Sequence, residues 1–195
     1  MDLIAVSCTQ MYRLNKPKSD KKSVLLKQSQ KLFHTNDLGL LWNITNKNTL
    51  YTAIKRYKKD GTLVPIHKGF YSVVPLSQLD PVVLGTAFLH RYTYLSAEFI
   101  LAREGVIAQT IPTFTLVSNI SKKFKLGENH YTVRQMADQY LYNTRGIVKK
   151  AHHYEAMSER AVADLLYYNP SYHFDNKDLI DWNKVEKIQK EVGFK

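Results

Sequence analysis

Between Asn46 and Lys68 the chain concentrates side chains that donate hydrogen bonds or carry positive charge. Asparagine can pair bidentately with adenine, and lysine can donate to the acceptors of guanine. Asn46, Lys47, Asn48, Tyr51, Thr52 and Lys55 therefore suit the base edges of a major groove. Arg56, Lys58, Lys59 and Lys68, with His67 beside them, suit phosphates, which fix register without reading sequence. Other chemistries find less support. His152-His153 near Glu155 lacks a further spaced histidine or cysteine to complete a metal set, Cys8 has no base partner, and no glycine-rich phosphate loop occurs. Asp164 lies among apolar neighbours and reads as a buried structural acid. No catalytic constellation, metal site or cofactor is expected.

The elements that must position these donors are legible nearby. Thr45 or Asn46 can accept the first free amides of a helix, and Gly61 can take the left-handed conformation past its end. Leu50, Ala53, Ile54 and Tyr57 recur at helical spacing and would face a core. Such a helix, taken alone, is an ordinary amphipathic surface helix. The residues after it lower the weight of that plain reading: Leu63–Ile66 and Phe70–Val74 alternate as two strands joined by His67-Lys68-Gly69. A basic helix leading at once into a small hairpin is the layout of a winged helix-turn-helix.

Charge is distributed unevenly. The 195 residues carry a net charge of +11. Residues 1–75 hold 13 Lys or Arg against 4 Asp or Glu, whereas the remainder holds 15 against 13, so the N-terminal part is the candidate for a polyanion. With 44% hydrophobic and 12% aromatic residues the chain can bury a core. No apolar run approaches the roughly 20 residues that span a bilayer, and Leu3–Val6 after Asp2 is wrong for a signal peptide. A single cysteine fits a reducing cytoplasm.

In order, residues 1–22 read as a basic arm. Ser23 caps a helix carrying Leu25 and Leu26, then Leu32 and Phe33. Thr35-Asn36-Asp37 starts a second helix with Leu38, Leu41 and Trp42. The basic helix and hairpin complete a winged helix-turn-helix at 23–75, and Pro75–Pro81 connects it to a C-terminal domain at 81–195. There, Asp80 and Pro81 start a helix through His90, and Ser96 caps another over Ala97–Arg103. Strands are expected at Val106–Ile107, Thr113–Val117, Lys122–Leu126, Tyr131–Met136 and Ile147–Lys149. Ser158 caps a helix with Ala161, Val162, Leu165 and Leu166, and a last amphipathic helix covers Leu179–Val192. The fold class expected is α+β: an N-terminal winged helix-turn-helix and a C-terminal mixed α/β domain with a small, mostly antiparallel sheet.

These segments carry a resemblance. Leu32-Phe33-His34-Thr35-Asn36-Asp37-Leu38, Ile54-Lys55-Arg56-Tyr57-Lys58-Lys59-Asp60-Gly61-Thr62-Leu63 and Lys68-Gly69-Phe70-Tyr71 resemble the winged-helix half of AbiEi-type antitoxins. Tyr94-Leu95-Ser96-Ala97-Glu98, Gly105-Val106-Ile107 and Ser158–Tyr167 are similar to that family's C-terminal antitoxin domain. The resemblance spans about residues 23–192, with Lys68 and Tyr57 standing where many relatives have arginine and leucine. It implies a type IV, abortive-infection toxin-antitoxin system. The N-terminal domain would bind inverted repeats in the double-stranded DNA of its own promoter and repress it. The C-terminal domain would counter a nucleotidyltransferase toxin, direct binding not being assumed. The alternatives are a stand-alone winged-helix regulator with a ligand-sensing or dimerising C-terminal domain, and a nuclease anchored by its basic domain, against which the missing acid cluster speaks.

Overall fold

A computed structural model describes residues 20–194. The apolar run Leu3–Val6, Cys8 and the first lysines of the expected arm lie outside the described residues. The fold is α+β, with a three-stranded antiparallel sheet and a six-stranded mixed sheet.

Asp20, rather than Ser23, starts the first helix. Its carboxylate accepts the Lys22 N–H at 3.2 Å, and α1 runs only from Lys21 to Leu26, so Lys21 and Lys22 are helical rather than part of an arm. Leu32 and Phe33 are not on that helix. They form strand β1 (Leu32–His34), because a later hairpin supplies a backbone partner that local sequence does not advertise. Helix α2 (Thr35–Leu41) follows directly, its entry fixed by the His34 N–H donating to the Asp37 carboxylate at 2.7 Å. Helix α3 (Lys47–Lys59) matches expectation: Asn46 is the cap, and Leu50, Ala53, Ile54 and Tyr57 are buried. Strands β2 (Val64–His67) and β3 (Phe70–Ser72) turn at Lys68-Gly69, where Gly69 holds φ +76°. Pro65 is tolerated in β2 because the strand order β1-β3-β2 leaves β2 at an edge.

Alternation along β1 and β3 gives this small sheet two apolar faces. Phe33 and Tyr71 are cross-strand partners and join Leu25, Leu38, Trp42, Ile54 and Tyr57 in an N-terminal core. Leu32 and Phe70 point the other way and join the core of the C-terminal part. The two regions therefore share a sheet rather than hang on a linker.

Beyond the Pro75–Pro81 connector, α4 (Pro81–Leu89) is capped by Asp80, whose carboxylate accepts the N–H groups of Val82 and Val83 at 2.7 and 3.1 Å. Strand β4 (Tyr94–Leu95) leads into α5 (Ala97–Arg103). Then come β5 (Thr113–Ser118), β6 (Lys122–Leu126), β7 (Asn129–Gln135), a short α6 (Asp138–Leu141), β8 (Ile147–Lys149) and β9 (Tyr154–Ala156). Helices α7 (Ser158–Tyr168) and α8 (Trp182–Val192) finish the chain. The sheet order is β6-β7-β5-β4-β9-β8. It differs from the small, mostly antiparallel sheet expected: β5 pairs with β7, and β4 with β9, in parallel. Val106 and Ile107 form no strand, since both their N–H groups return to the Leu101 carbonyl and close α5. Helix α8 begins later than Leu179 because Asp181 caps it, and Trp182 stays 40% exposed.

One buried network ties this part together. Ser96 does not cap α5; its hydroxyl donates to Asp164 at 2.7 Å. Arg160, one turn before Asp164 on α7, donates to that carboxylate at 2.8 Å, to the Asn143 and Arg145 carbonyls at 2.9 Å each, and to the Tyr94 hydroxyl at 3.0 Å. Both charged side chains are fully buried. A buried ion pair is tolerable only when further hydrogen bonds compensate its desolvation; here each Arg160 nitrogen has an acceptor and both Asp164 oxygens accept. Asp164→Ala would strand the Arg160 charge and should cost about 3–5 kcal/mol, read as a lowered urea midpoint. The double variant Arg160→Met/Asp164→Leu should recover much of that loss.

Candidate nucleic-acid interface

The inner face of α3 explains its outer face. At about 100° per residue, the buried stripe Leu50, Ala53, Ile54 and Tyr57 leaves Asn48, Thr52, Lys55 and Lys59 on the opposite side. Lys47, Tyr51 and Lys58 flank that strip on one side, and Arg56 on the other. All of these, with Asn46, His67 and Lys68, are exposed; Tyr51 shows 55% of its surface. No described carboxylate comes within ion-pair distance of Lys47, Lys55, Arg56, Lys58, Lys59 or Lys68. The first turn of α3 carries no acid, so its amide end is not neutralised, while Arg56, Lys58 and Lys59 sit favourably near its carbonyl end.

Several of these side chains are already engaged. The Asn46 carboxamide oxygen accepts the Thr49 N–H at 3.0 Å, which leaves only its amide nitrogen to donate outward. The Thr52 hydroxyl donates to the Asn48 carbonyl at 2.8 Å. Arg56 donates to the Tyr57 hydroxyl at 3.1 Å, and its guanidinium lies 4.9 Å from the centre of that ring. Asn48, Tyr51, Lys55 and Lys59 have no such commitment among the described hydrogen bonds. Lys21, expected in the arm, instead lines a shallow cleft with Asn48, Thr49, Thr52 and Arg56. Recognising Asp20 as a cap would have placed Lys21 on a helix.

The hairpin is held from two sides. The Gly69 carbonyl accepts the Thr35 N–H at 2.9 Å, which sets the Lys68-Gly69 turn against the start of α2. On the other side His67 meets Phe88 of α4 edge-on, with ring centres 5.0 Å apart.

A separate cleft of ≈ 790 Å³ opens where the two regions meet. It is lined by His34, Asp37, His90, Arg91, His152 and Tyr154, among others. His34 and His90 stack at 4.6 Å, and His90 Nε2 lies 3.3 Å from the Asp37 carboxylate. The His152-His153 pair beside Glu155 makes no metal set: among the described residues no group of three or more His, Cys, Asp or Glu side chains is arranged to hold an ion. Glu155 is occupied by Arg103 and Lys150, each at 3.2 Å. Burial alone would raise its pKa, but the hydrogen bonds from Arg103 and Lys150 outweigh that and hold it below the usual carboxylate range. Among the described residues no helix is long and apolar enough to cross a membrane.

No family model and no curated protein matches the chain. Among solved structures, the chain is similar in fold to the Rv2827c protein from Mycobacterium tuberculosis. The TM-score is 0.53 and the identity 13%, over 87% of this chain and 69% of that one.

Proposed function

We propose that the chain is a DNA-binding autorepressor and antitoxin of AbiEi type, acting in a bacterial type IV, abortive-infection toxin-antitoxin system. In this reading α1, β1, α2, α3, β2 and β3 make a winged helix-turn-helix. Helix α2 crosses the duplex backbone, α3 enters the major groove and the β2–β3 hairpin is the wing. The observation that carries the reading is the outer face of α3, exposed, cationic and without described acidic partners, above an inner face that packs into a core. The element order and the resemblance of 32–71 and 94–167 to that family support it. The chain then binds inverted repeats in its own promoter, while residues 81–195 counteract a nucleotidyltransferase toxin without a requirement for direct binding. It works in the cytoplasm, needs no cofactor and catalyses no reaction.

A second reading is favoured by the ≈ 790 Å³ cleft between the two regions. It makes the chain a stand-alone winged-helix regulator whose C-terminal part senses a ligand there.

Lys55 is assigned to a base edge and Lys68 to a phosphate. Lys55→Ala should cost about 1–3 kcal/mol of operator affinity and relax sequence preference. Lys68→Ala should weaken all sequences alike and reduce the salt slope by about 1. Fluorescence titrations of operator and scrambled duplexes across a salt series measure both, and affinities and slopes untouched by either change would remove the proposed footing on DNA. Co-expression separates the two readings. Induction of the adjacent toxin gene should arrest growth and the full-length chain should restore it; an adjacent gene without toxicity, or arrest without rescue, leaves the regulator.

A further inference from the structure

Strand β6 lies at a free edge of the six-stranded sheet and reads Lys122-Lys123-Phe124-Lys125-Leu126. All three lysines are exposed. Lys125 is paired with Glu128 at 3.4 Å, whereas no described carboxylate lies within ion-pair distance of Lys122 or Lys123. The period of two puts Lys122 on the same side as Phe124 and Leu126, and Lys123 on the other. Lys122 Nζ stands 4.7 Å from the centre of the Phe88 ring and 5.7 Å from that of Phe124. Phe88 is the ring that the hairpin rests on: His67 meets it at 5.0 Å and Phe70 at 5.6 Å. One phenyl ring thus has the hairpin imidazole on it and a free ammonium beside it. The two cannot be more than about 10 Å apart, short enough for both to reach phosphates of one duplex, whose strands each carry a phosphate every ~3.4 Å of axis.

We propose that the duplex-contacting surface continues from the hairpin onto β6, with Lys122 contacting a backbone phosphate. The proposal rests on the reading of α3 and the hairpin as DNA-binding. It gives the C-terminal part a share in the footprint, although that part holds little of the net charge. The aromatic shelf matters because a lysine whose ammonium already rests over Phe88 and Phe124 has fewer conformations to lose when that ammonium meets a phosphate. Lys123 is a matched control: same strand, same charge, opposite face.

The test uses the full-length chain, a duplex from the region upstream of its own gene and a mixed-sequence duplex of equal length. Lys122→Gln should reduce the slope of log affinity against log salt by about 1 on both duplexes. Lys122→Arg should restore it, and Lys123→Gln should leave it unchanged. An unchanged slope for Lys122→Gln, while Lys55→Ala weakens binding, would overturn the extension onto β6 and leave the α3 reading standing. Equal losses from Lys122→Gln and Lys123→Gln would also overturn it, since they would report net charge rather than contact. Indifference of binding to Lys55→Ala and Lys122→Gln alike would bring down the underlying reading as well.

Discussion

Two three-residue strands, β1 and β3, hold the molecule's two cores together. Because side chains alternate along a strand, Phe33 and Tyr71 serve the N-terminal core while their neighbours Leu32 and Phe70 serve the C-terminal one. Fully burying a side chain of this size stabilises by about 1.5–3 kcal/mol, so neither face can be given up cheaply. A slip of one residue in the β1–β3 register would send every one of these groups to the wrong core. The placement of α2, which begins at the residue after β1, is set by the same pairing.

This shared sheet gives the proposed reading its geometry. The inner face of α3 is fixed by Leu50, Ala53, Ile54 and Tyr57, so its basic residues have no direction left but outward. The hairpin is gripped between the start of α2 and the Phe88 ring of α4, and its Lys68 therefore sits on a stiff support. A rigid support lowers the entropy lost when a cation meets a phosphate. Meanwhile the Arg160–Asp164 network holds α7 to β4 and to the turn after α6, deep within the other core and remote in kind from the basic face.

Sequence patterns revealed what is encoded locally and concealed what is not. The limits of α3 followed from one cap, one glycine and four apolar positions, and the hairpin turn followed from Lys68-Gly69, since each signal acts within a few residues. β1, β4 and β9 were missed because no turn or alternating run marks them locally; partners distant in sequence make them strands. The same reason explains the unexpected parallel pairs in the larger sheet. Ser96 looked like a cap until the fold brought Asp164 within 2.7 Å, a contact across 68 positions. The outward direction of the basic residues of α3 was readable from helical spacing, but the commitments of Asn46, Thr52 and Arg56 to neighbouring groups were not. The nearness of Lys122 to the hairpin was hidden by counting charge per half of the chain, which cannot register a contact between halves.

The central claim, that the outward face of α3 meets duplex DNA, is tested most directly by nuclear magnetic resonance. The isotope-labelled full-length chain is titrated with a duplex from upstream of its own gene. Binding through α3 and the hairpin should concentrate amide and side-chain shifts at residues 46–59 and 67–69, with the amides of the C-terminal core around Arg160 unmoved. Shifts confined to the cleft around His34 and His90, or none at all at salt concentrations where cationic surfaces bind DNA, would contradict it.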